Sequence, residues 1–230
     1  MPEAEFDEIA AAYEQQHADS IRLSGEDTGY FADYKALDAK MLARKKGLSP
    51  QRILDFGSGI GNSVAPLRAN FPDAEITCLD VSRHSLAMSR TRHGEEKIDY
   101  RHYDGTHIPH DLGQFDLIFT ACVFHHIPPA DHVALLAQLK RILRPNGMFV
   151  LFEHNPWNPL TVNAVNTCPF DENAILISAP MMRNTVREAG FASSAIRYRI
   201  FFPAALAALR PLEMYLTKMP LGAQYCLTAD

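Results

Sequence analysis

Short apolar runs alternate with amphipathic segments along most of the chain, a pattern typical of an α/β domain built on a parallel sheet. The apolar runs predict strands over 53–56, 74–81, 98–103, 115–120, 148–152 and 195–202. Helical spacing of apolar residues predicts helices over 6–17, 30–46, 62–70, 131–143 and 180–189. Because strands and helices alternate, we expect one doubly wound sheet with helices on both faces.

Three glycines separate the first predicted strand from its helix. They are Gly57, Gly59 and Gly61. A strand, a glycine turn and a helix N-terminus place backbone N–H groups around a polar ligand group. The spacing is not that of a dinucleotide loop, which needs Gly or Ala where this chain has Asn62, and no Lys-Ser or Lys-Thr follows, which excludes the phosphate loop of nucleotide triphosphatases. Asp55 would repel a pyrophosphate, so a ligand with an ammonium group fits better.

Further polar residues come at the ends of the next three predicted strands. Asp80 ends the second, about twenty residues beyond the glycines, where doubly wound folds place an acid that accepts hydrogen bonds from ribose hydroxyls. Asp104 and Gly105 follow the third strand, and Ala121 ends the fourth. Structural roles stay open: Asp55 as a cap of the loop, Asp80 as an N-cap of the next helix, and Asp104 as a turn residue.

Five of these segments, in this order and at this spacing, resemble the motifs of class I S-adenosylmethionine-dependent methyltransferases. The segments are 55–61, the strand ending at Asp80, 104–106, 115–118 and 141–150. The resemblance covers residues 50 to 155. It implies a Rossmann-like seven-stranded sheet of order 3-2-1-4-5-7-6, with an antiparallel last strand over 222–228, N-terminal helices and a small cap.

The same resemblance implies a division of one domain, residues 1–230, into functional parts. Residues 1–48 would form a helical lid and 50–155 the cofactor-binding core. Substrate-side insertions would cover 156–179, a loop rich in amides that also carries Trp157, and 203–219, an apolar segment expected to be a helix that packs on the domain. A homodimer face or contact with a lipid-linked acceptor are the other uses open to this apolar segment.

The implied cofactor is S-adenosyl-L-methionine, with S-adenosyl-L-homocysteine as the product. The resemblance gives its methionine end to Asp55, directly or through water, and to the Gly57-Ser58-Gly59 turn. It gives the ribose to Asp80, and the adenine to Val81, Asp104 and Gly105. Ala121 would offer backbone contacts near the methionine end. Tyr13 would reach the methionine carboxylate, and Tyr30 and Tyr34 the substrate, although aromatic residues at helical spacing are more often packing residues.

Two histidines are candidates for catalysis. His126 follows the fourth predicted strand, beside His125, and small-molecule methyltransferases that resemble this chain carry a histidine there. Such a histidine can take the proton of a hydroxyl group. Glu153 and His154, after the fifth strand, are candidate substrate contacts or an alternative base, and either could instead cap the next turn. His126 could instead pack against the cofactor loop or bond a backbone carbonyl. The predicted reaction is methyl transfer to a hydroxyl oxygen of a small-molecule acceptor, with a looser resemblance to enzymes of glycan and secondary-metabolite assembly.

Composition and net charge limit the kinds of partner that the protein is expected to bind. A net charge of −5 and a pI of about 6.0 leave no basic surface for nucleic acid. No apolar run is long enough for stable insertion in a membrane, and the four cysteines lack metal or redox spacing, so a cytoplasmic protein without a metal is expected. His102, His107 and His110 straddle a turn and are not predicted to bind a metal. Two other hypotheses remain: a non-catalytic cofactor-binding regulatory or scaffold protein, and a NAD-dependent oxidoreductase, which Asp55 and Asn62 disfavour.

Overall fold

The computed structural model describes residues 25–230. The predicted helix over 6–17, Tyr13 and half of the predicted lid lie outside this range. The described helices are α1 (Thr28–Lys46), α2 (Val64–Asn70), α3 (Arg83–His93), α4 (His132–Ile142), α5 (Pro159–Asn166), α6 (Ala179–Glu188) and α7 (Glu213–Leu216). The strands are β1 (Arg52–Phe56), β2 (Glu75–Asp80), β3 (Ile98–His102), β4 (Phe115–Ala121), β5 (Leu143–His154), β6 (Ser194–Arg199) and β7 (Gln224–Ala229).

The seven strands form one sheet in the order β3-β2-β1-β4-β5-β7-β6. Strands β1 to β5 run parallel, and β7 pairs antiparallel with both β5 and β6. The predicted fold and strand order are therefore confirmed. Because β1 lies between β2 and β4, the chain changes direction across the sheet beside β1, which is where doubly wound folds bind ligands.

The core lies on both faces of the sheet. Ile53 and Leu54 are consecutive in β1 and both fully buried, yet they pack in different apolar clusters. Successive side chains of a strand point to opposite faces, so only a sheet covered on both sides buries both residues. Because the sheet is covered on both faces, its strands appear in the sequence as continuous apolar runs.

Helix α1 begins and ends where the sequence places strong signals. The Asp27 carboxylate caps its start by accepting a hydrogen bond of 2.7 Å from the Tyr30 N–H. Gly47 ends it with a φ of 73°, a conformation that glycine adopts without a Cβ clash. The residues Ala36, Ala39 and Ala43 pack the helix closely against one apolar cluster.

The two segments after β5 differ from their predicted forms. The amide-rich loop contains α5, and its Asn158 side chain accepts hydrogen bonds from the backbone of the first turn. The segment 203–219 is not a continuous helix: a 3₁₀ stretch, Ala204–Leu212, breaks at Leu206 and precedes the single turn of α7. Pro211 removes a backbone donor inside this stretch. Its apolar side chains do not pack as expected, since Met214, for example, is 69% exposed.

None of the helices within residues 25–230 is long and apolar enough to cross a membrane.

A buried ion pair fastens α1 to the sheet edge. The Arg199 guanidinium of β6 donates to both carboxylate oxygens of Asp38, at 2.8 and 2.9 Å, and both side chains are largely buried. We expect Asp38→Asn to lower the free energy of unfolding by about 3 kcal/mol, because it leaves the Arg199 charge without its partner. Urea denaturation measures the loss. Asp33→Asn, on the exposed side of the same helix, is the control and should change it by less than about 0.5 kcal/mol; equal effects would contradict the prediction.

Candidate cofactor and acceptor site

A cavity of about 450 Å³ opens at the carboxyl edge of the sheet. Its walls come from the segments that follow β1 to β5, together with α1, α5 and the chain around Ile200. The predicted site residues that line it are Gly57, Ser58, Gly59, Asp80, Val81, Asp104, Gly105, Ala121, His126 and His154. The fold thus brings together ten of the twelve residues; Tyr13 lies outside the described range, and Asp55 lies elsewhere.

The glycine turn forms the floor of one half of the cavity. Gly57 has a φ of 72° and its N–H donates to the Leu79 carbonyl at 2.8 Å, which ties the turn to β2. A Cβ at Gly57 would lie 2.4 Å from a methyl carbon of Val123. A Cβ at Gly59, with a φ of 51°, would meet nothing within 4 Å. Gly57 is therefore needed for the fold of the turn, whereas Gly59 leaves open the space in which a ligand can approach the backbone.

Asp80 supports this turn from the end of β2. Its carboxylate accepts hydrogen bonds from the Gly59 N–H at 2.7 Å and from the Ser82 N–H at 2.9 Å. Burial raises the pKa of Asp80, and these backbone donors oppose the shift. The N-cap of α3 is Ser82 and not Asp80, because the Ser82 hydroxyl accepts from the Ser85 N–H. The capping alternative for Asp80 is wrong, and its carboxylate lines the cavity.

Asp55 lies behind the turn, not among the residues that line the cavity. It is 2% exposed, and within the described part of the chain its Oδ2 has no hydrogen-bond partner. Burial, together with the nearby Asp80 carboxylate, raises the pKa of Asp55 to about 7. The sequence allowed Asp55 to contact a ligand ammonium either directly or through a water molecule. The contact through water fits this buried position better, because a buried oxygen without a hydrogen-bond partner can accept a bond from such a water.

The far wall of the half of the cavity that contains the glycine turn is formed by Val81, Asp104 and Gly105. The Asp104 Oδ1 accepts hydrogen bonds from the backbone N–H groups of Thr106 and His107 at 2.8 and 2.6 Å. These donors hold the pKa of Asp104 well below its usual range. Asp104 is therefore the turn residue that the sequence allowed, and it also faces the cavity with a negative charge that can accept from an amino group.

A network of ionisable groups occupies the other half of the cavity, and of its members the sequence had indicated Glu153 but not Asp171. The His125 Nδ1 lies 2.6 Å from Glu153 Oε2, and its Nε2 lies 3.5 Å from Asp171 Oδ1. Burial opposes the charge on His125, but Glu153 and Asp171 together outweigh burial and raise the pKa of His125 to about 10. Against burial, His125 in turn lowers the pKa of Glu153 to about 2. Glu153 was a candidate and His125 precedes one, whereas Asp171 lies 45 residues beyond His126, where no local pattern marks it.

The two histidines predicted to be catalytic, His126 and His154, lie beside this network of ionisable groups. His126 Nε2 is 3.4 Å from the same Asp171 oxygen. Burial and the neighbouring His125 lower the pKa of His126 to about 3. The His154 ring is 5.1 Å from the His125 ring and is more exposed than either neighbour.

Cys122 completes this half of the cavity. It has a φ of 60°, and its Sγ accepts hydrogen bonds from Lys35 Nζ at 3.5 Å and Gln224 Nε2 at 3.7 Å. Burial would raise the pKa of the Cys122 thiol, but Lys35 and His154 lower it to about 7.

Helix α1 borders the cavity with a face different from the one predicted. Its cavity-lining residues are Thr28, Phe31, Ala32 and Lys35. Their spacing of three and four residues places them on one side of the helix. Tyr30 and Tyr34 lie on another side and are not among the lining residues; Tyr30 stacks beneath the Arg210 guanidinium.

Residues 53–147 match the family model of a methyltransferase domain. A demethylmenaquinone methyltransferase of Deinococcus radiodurans is 31% identical over 134 residues, which are 57% of this chain and 52% of that protein. A trans-aconitate 2-methyltransferase of Methylobacterium nodulans is 36% identical over 51% of this chain and 44% of its own length. The chain thus spans about half the length of these relatives.

Solved structures extend the likeness to the whole fold. The structure of a possible histamine N-methyltransferase from Thermotoga maritima has a TM-score of 0.67 at 16% identity and covers 99% of this chain and 98% of its own. Residues 53–147 are thus a methyltransferase domain, and the strand order is that of the Rossmann-like methyltransferase fold. The structure of human N-acetylserotonin methyltransferase, solved in complex with S-adenosylmethionine, covers 79% of this chain and 48% of its own at 17% identity and a TM-score of 0.58. The NAD-dependent oxidoreductase hypothesis accordingly loses its support.

The different surroundings of Gly57 and Gly59 allow a test of whether a cofactor binds over the glycine turn. Gly59→Ala should lower the free energy of unfolding by only about 1 kcal/mol, because alanine is mildly strained in the left-handed conformation of this residue. The same variant should weaken S-adenosylhomocysteine binding at least tenfold, because the added methyl group enters the space that the ligand occupies. Gly57→Ala should also destabilise the fold by clashing with Val123. Urea denaturation and calorimetry measure the two effects. Unchanged binding by Gly59→Ala would show that the ligand does not pass over this turn.

Proposed function

We propose that the chain is an enzyme that transfers the methyl group of S-adenosylmethionine to a hydroxyl oxygen of a small-molecule acceptor. The observation that carries the proposal is that one cavity joins the glycine turn and Asp80 to a set of histidines and carboxylates. The first half suits the cofactor and the second suits an acceptor whose proton must be removed. Proximity of the two halves supplies much of the expected acceleration.

The residues of the cofactor half fit S-adenosylmethionine. Gly57, Ser58 and Gly59 would pass its methionine end, with Asp55 behind them, and Ala121 would contact the same end through its backbone. Asp80 would hold the ribose, while Val81, Asp104 and Gly105 would hold the adenine. The cofactor, when bound, supplies an electrophilic methyl group on a sulfonium.

The acceptor half can orient a hydroxyl and accept its proton. We assign proton acceptance to His154, because it is the most exposed of the three histidines. In the reaction the oxygen–methyl bond forms, the sulfur–methyl bond breaks, and the hydroxyl proton passes to His154. His126, whose Nε2 faces Asp171, would contact the acceptor without taking the proton.

Support for a small acceptor comes from the cavity volume and from the relatives, whose names include a trans-aconitate 2-methyltransferase. The hydroxyl as acceptor atom rests on the histidines alone, since the relatives also include a demethylmenaquinone methyltransferase. A role in glycan or secondary-metabolite assembly, a cytoplasmic location, the absence of nucleic-acid binding and a homodimer stay predictions.

Cofactor binding is the first test. We expect S-adenosylhomocysteine to bind the chain in calorimetry and Asp80→Ala to weaken it at least tenfold, about 1.4 kcal/mol, because a ribose contact and the support of the Gly59 N–H are both lost. Asp73→Ala, an exposed carboxylate before β2, is the control and should bind as the wild type does. NAD should not bind. If NAD bound in place of S-adenosylhomocysteine, the cofactor assignment would fall.

Methyl transfer is the second test, read as S-adenosylhomocysteine formed with hydroxy acids, phenols and quinols as acceptors. With an acceptor that reacts, His154→Ala should lower kcat by about 10²- to 10⁴-fold, because it removes the proton acceptor, and should leave S-adenosylhomocysteine affinity unchanged. His84→Ala, on the exposed side of α3, is the matched control. Full activity of His154→Ala would exclude it as the base. Cofactor binding without transfer to any acceptor would favour the non-catalytic hypothesis.

A further inference from the structure

Two imidazole nitrogens and one carboxylate oxygen converge on the acceptor side of the cavity. Asp171 Oδ1 is 3.5 Å from His125 Nε2 and 3.4 Å from His126 Nε2, and the three residues can offer ligand atoms that all lie within 4.8 Å of one another. Both distances are longer than the 2.7–3.2 Å typical of N–H···O hydrogen bonds. Ligands about 2.1 Å from a tetrahedral ion, however, lie roughly 3.4 Å apart. The spacing is therefore that of ligands around an ion.

Glu153 holds the first of these histidines in place. Its Oε2 lies 2.6 Å from His125 Nδ1, and its Oε1 accepts from the N–H groups of Val123 and Phe124 at 2.9 and 2.7 Å. With Nδ1 engaged, the His125 Nε2 is directed toward Asp171. A carboxylate on the far nitrogen of a histidine is the arrangement that orients metal-ligating imidazoles in proteins.

Charge and access favour the same conclusion. Glu153 and Asp171 place two carboxylates in a largely buried region, with side-chain exposures of 1% and 12%. A dication offsets such a concentration of negative charge. His125, His126 and Asp171 all line the cavity, so a fourth position around the ion would face the acceptor.

We propose that His125, His126 and Asp171 bind one Zn²⁺ or similar first-row divalent ion, with Glu153 as the positioning residue of His125. Two imidazoles and one carboxylate suit such ions better than Mg²⁺ or Ca²⁺, which prefer oxygen ligands. Three protein ligands with an open fourth position are typical of a catalytic site. If the proposed function holds, on which this step rests, the acceptor oxygen would occupy the open position. Acceptors would then be restricted to those with a hydroxyl or enol that can ligate an ion.

The ion was not expected from the sequence. Adjacent histidines cannot by themselves form a site, and Asp171 joins them only because the turn Pro169–Asp171 folds back over the segment after β4. The backbone N–H of Ile175 fastens this turn by donating to the His125 carbonyl at 2.8 Å.

Metal binding is tested on protein stripped with a chelator and dialysed. We expect one equivalent of Zn²⁺ to bind in calorimetry, and one equivalent of Co²⁺ to give the visible absorption of a low-symmetry site. His126→Ala and Asp171→Asn should each weaken Zn²⁺ binding at least tenfold. Glu153→Gln should weaken it 10- to 100-fold and shift the cobalt absorption bands, because the His125 ring loses its orientation.

Two controls match the variants. Asp111→Asn removes an exposed carboxylate that also lies in a 3₁₀ turn, and His84→Ala removes an exposed histidine; both should bind Zn²⁺ as the wild type does. S-adenosylhomocysteine affinity, measured on the same samples, shows that each variant is folded. Absence of Zn²⁺ binding, or binding that the controls weaken as much as the site variants, overturns the ion site. If the chain binds S-adenosylhomocysteine but not Zn²⁺, the ion alone is refuted and the methyltransferase proposal stands.

Discussion

The parallel pairing of β1 with β2 on one side and β4 on the other is the constraint on which the candidate site depends. Parallel strands end at the same edge, so residues at the ends of β1, β2 and β4 become neighbours whatever their separation in sequence. The Gly57 N–H bond to the Leu79 carbonyl and the Gly59 N–H bond to Asp80 continue this pairing beyond the strands. The glycine turn is thus held by β2 and not only by its own conformation.

Burial decides what each acid of this edge can do. Asp55 and Asp80 lie at successive strand ends, but Asp80 faces backbone donors and the cavity, whereas Asp55 lies beneath the turn with an unsatisfied oxygen. A carboxylate in such a place costs free energy unless a ligand or water satisfies it. Asp104 is the opposite case: it is exposed, the backbone and side chains of Thr106 and His107 in its own turn bond its carboxylate, and it needs no ligand to be stable.

The acceptor half depends on one buried carboxylate. Glu153 accepts from two backbone N–H groups after β4 and engages His125, so it joins β5 to the segment that carries both histidines. A buried acid with that many partners fixes the conformation of its neighbours, because each lost contact would leave a charge or a donor unsatisfied. Whether the group beside Asp171 is a proton or an ion, the orientation of His125 is the same.

The sequence by itself determined the sheet, its strand order through the family resemblance, and the cofactor half of the site. These depend on local signals: apolar runs, glycines that permit a positive φ, and acids at strand ends whose meeting place follows from parallel pairing. In the acceptor half the sequence indicated His126 and His154, but only the structure decided which groups surround them. Lys35, Asp171 and the depth of Asp55 depend on which face α1 presents and on where the chain after β5 folds back, and neither has a local pattern, because tertiary packing sets both. The exposed form of 204–216 differs from prediction as well: its apolar residues predict a packed helix, but the stretch breaks at Leu206, contains Pro211 and lies on the surface.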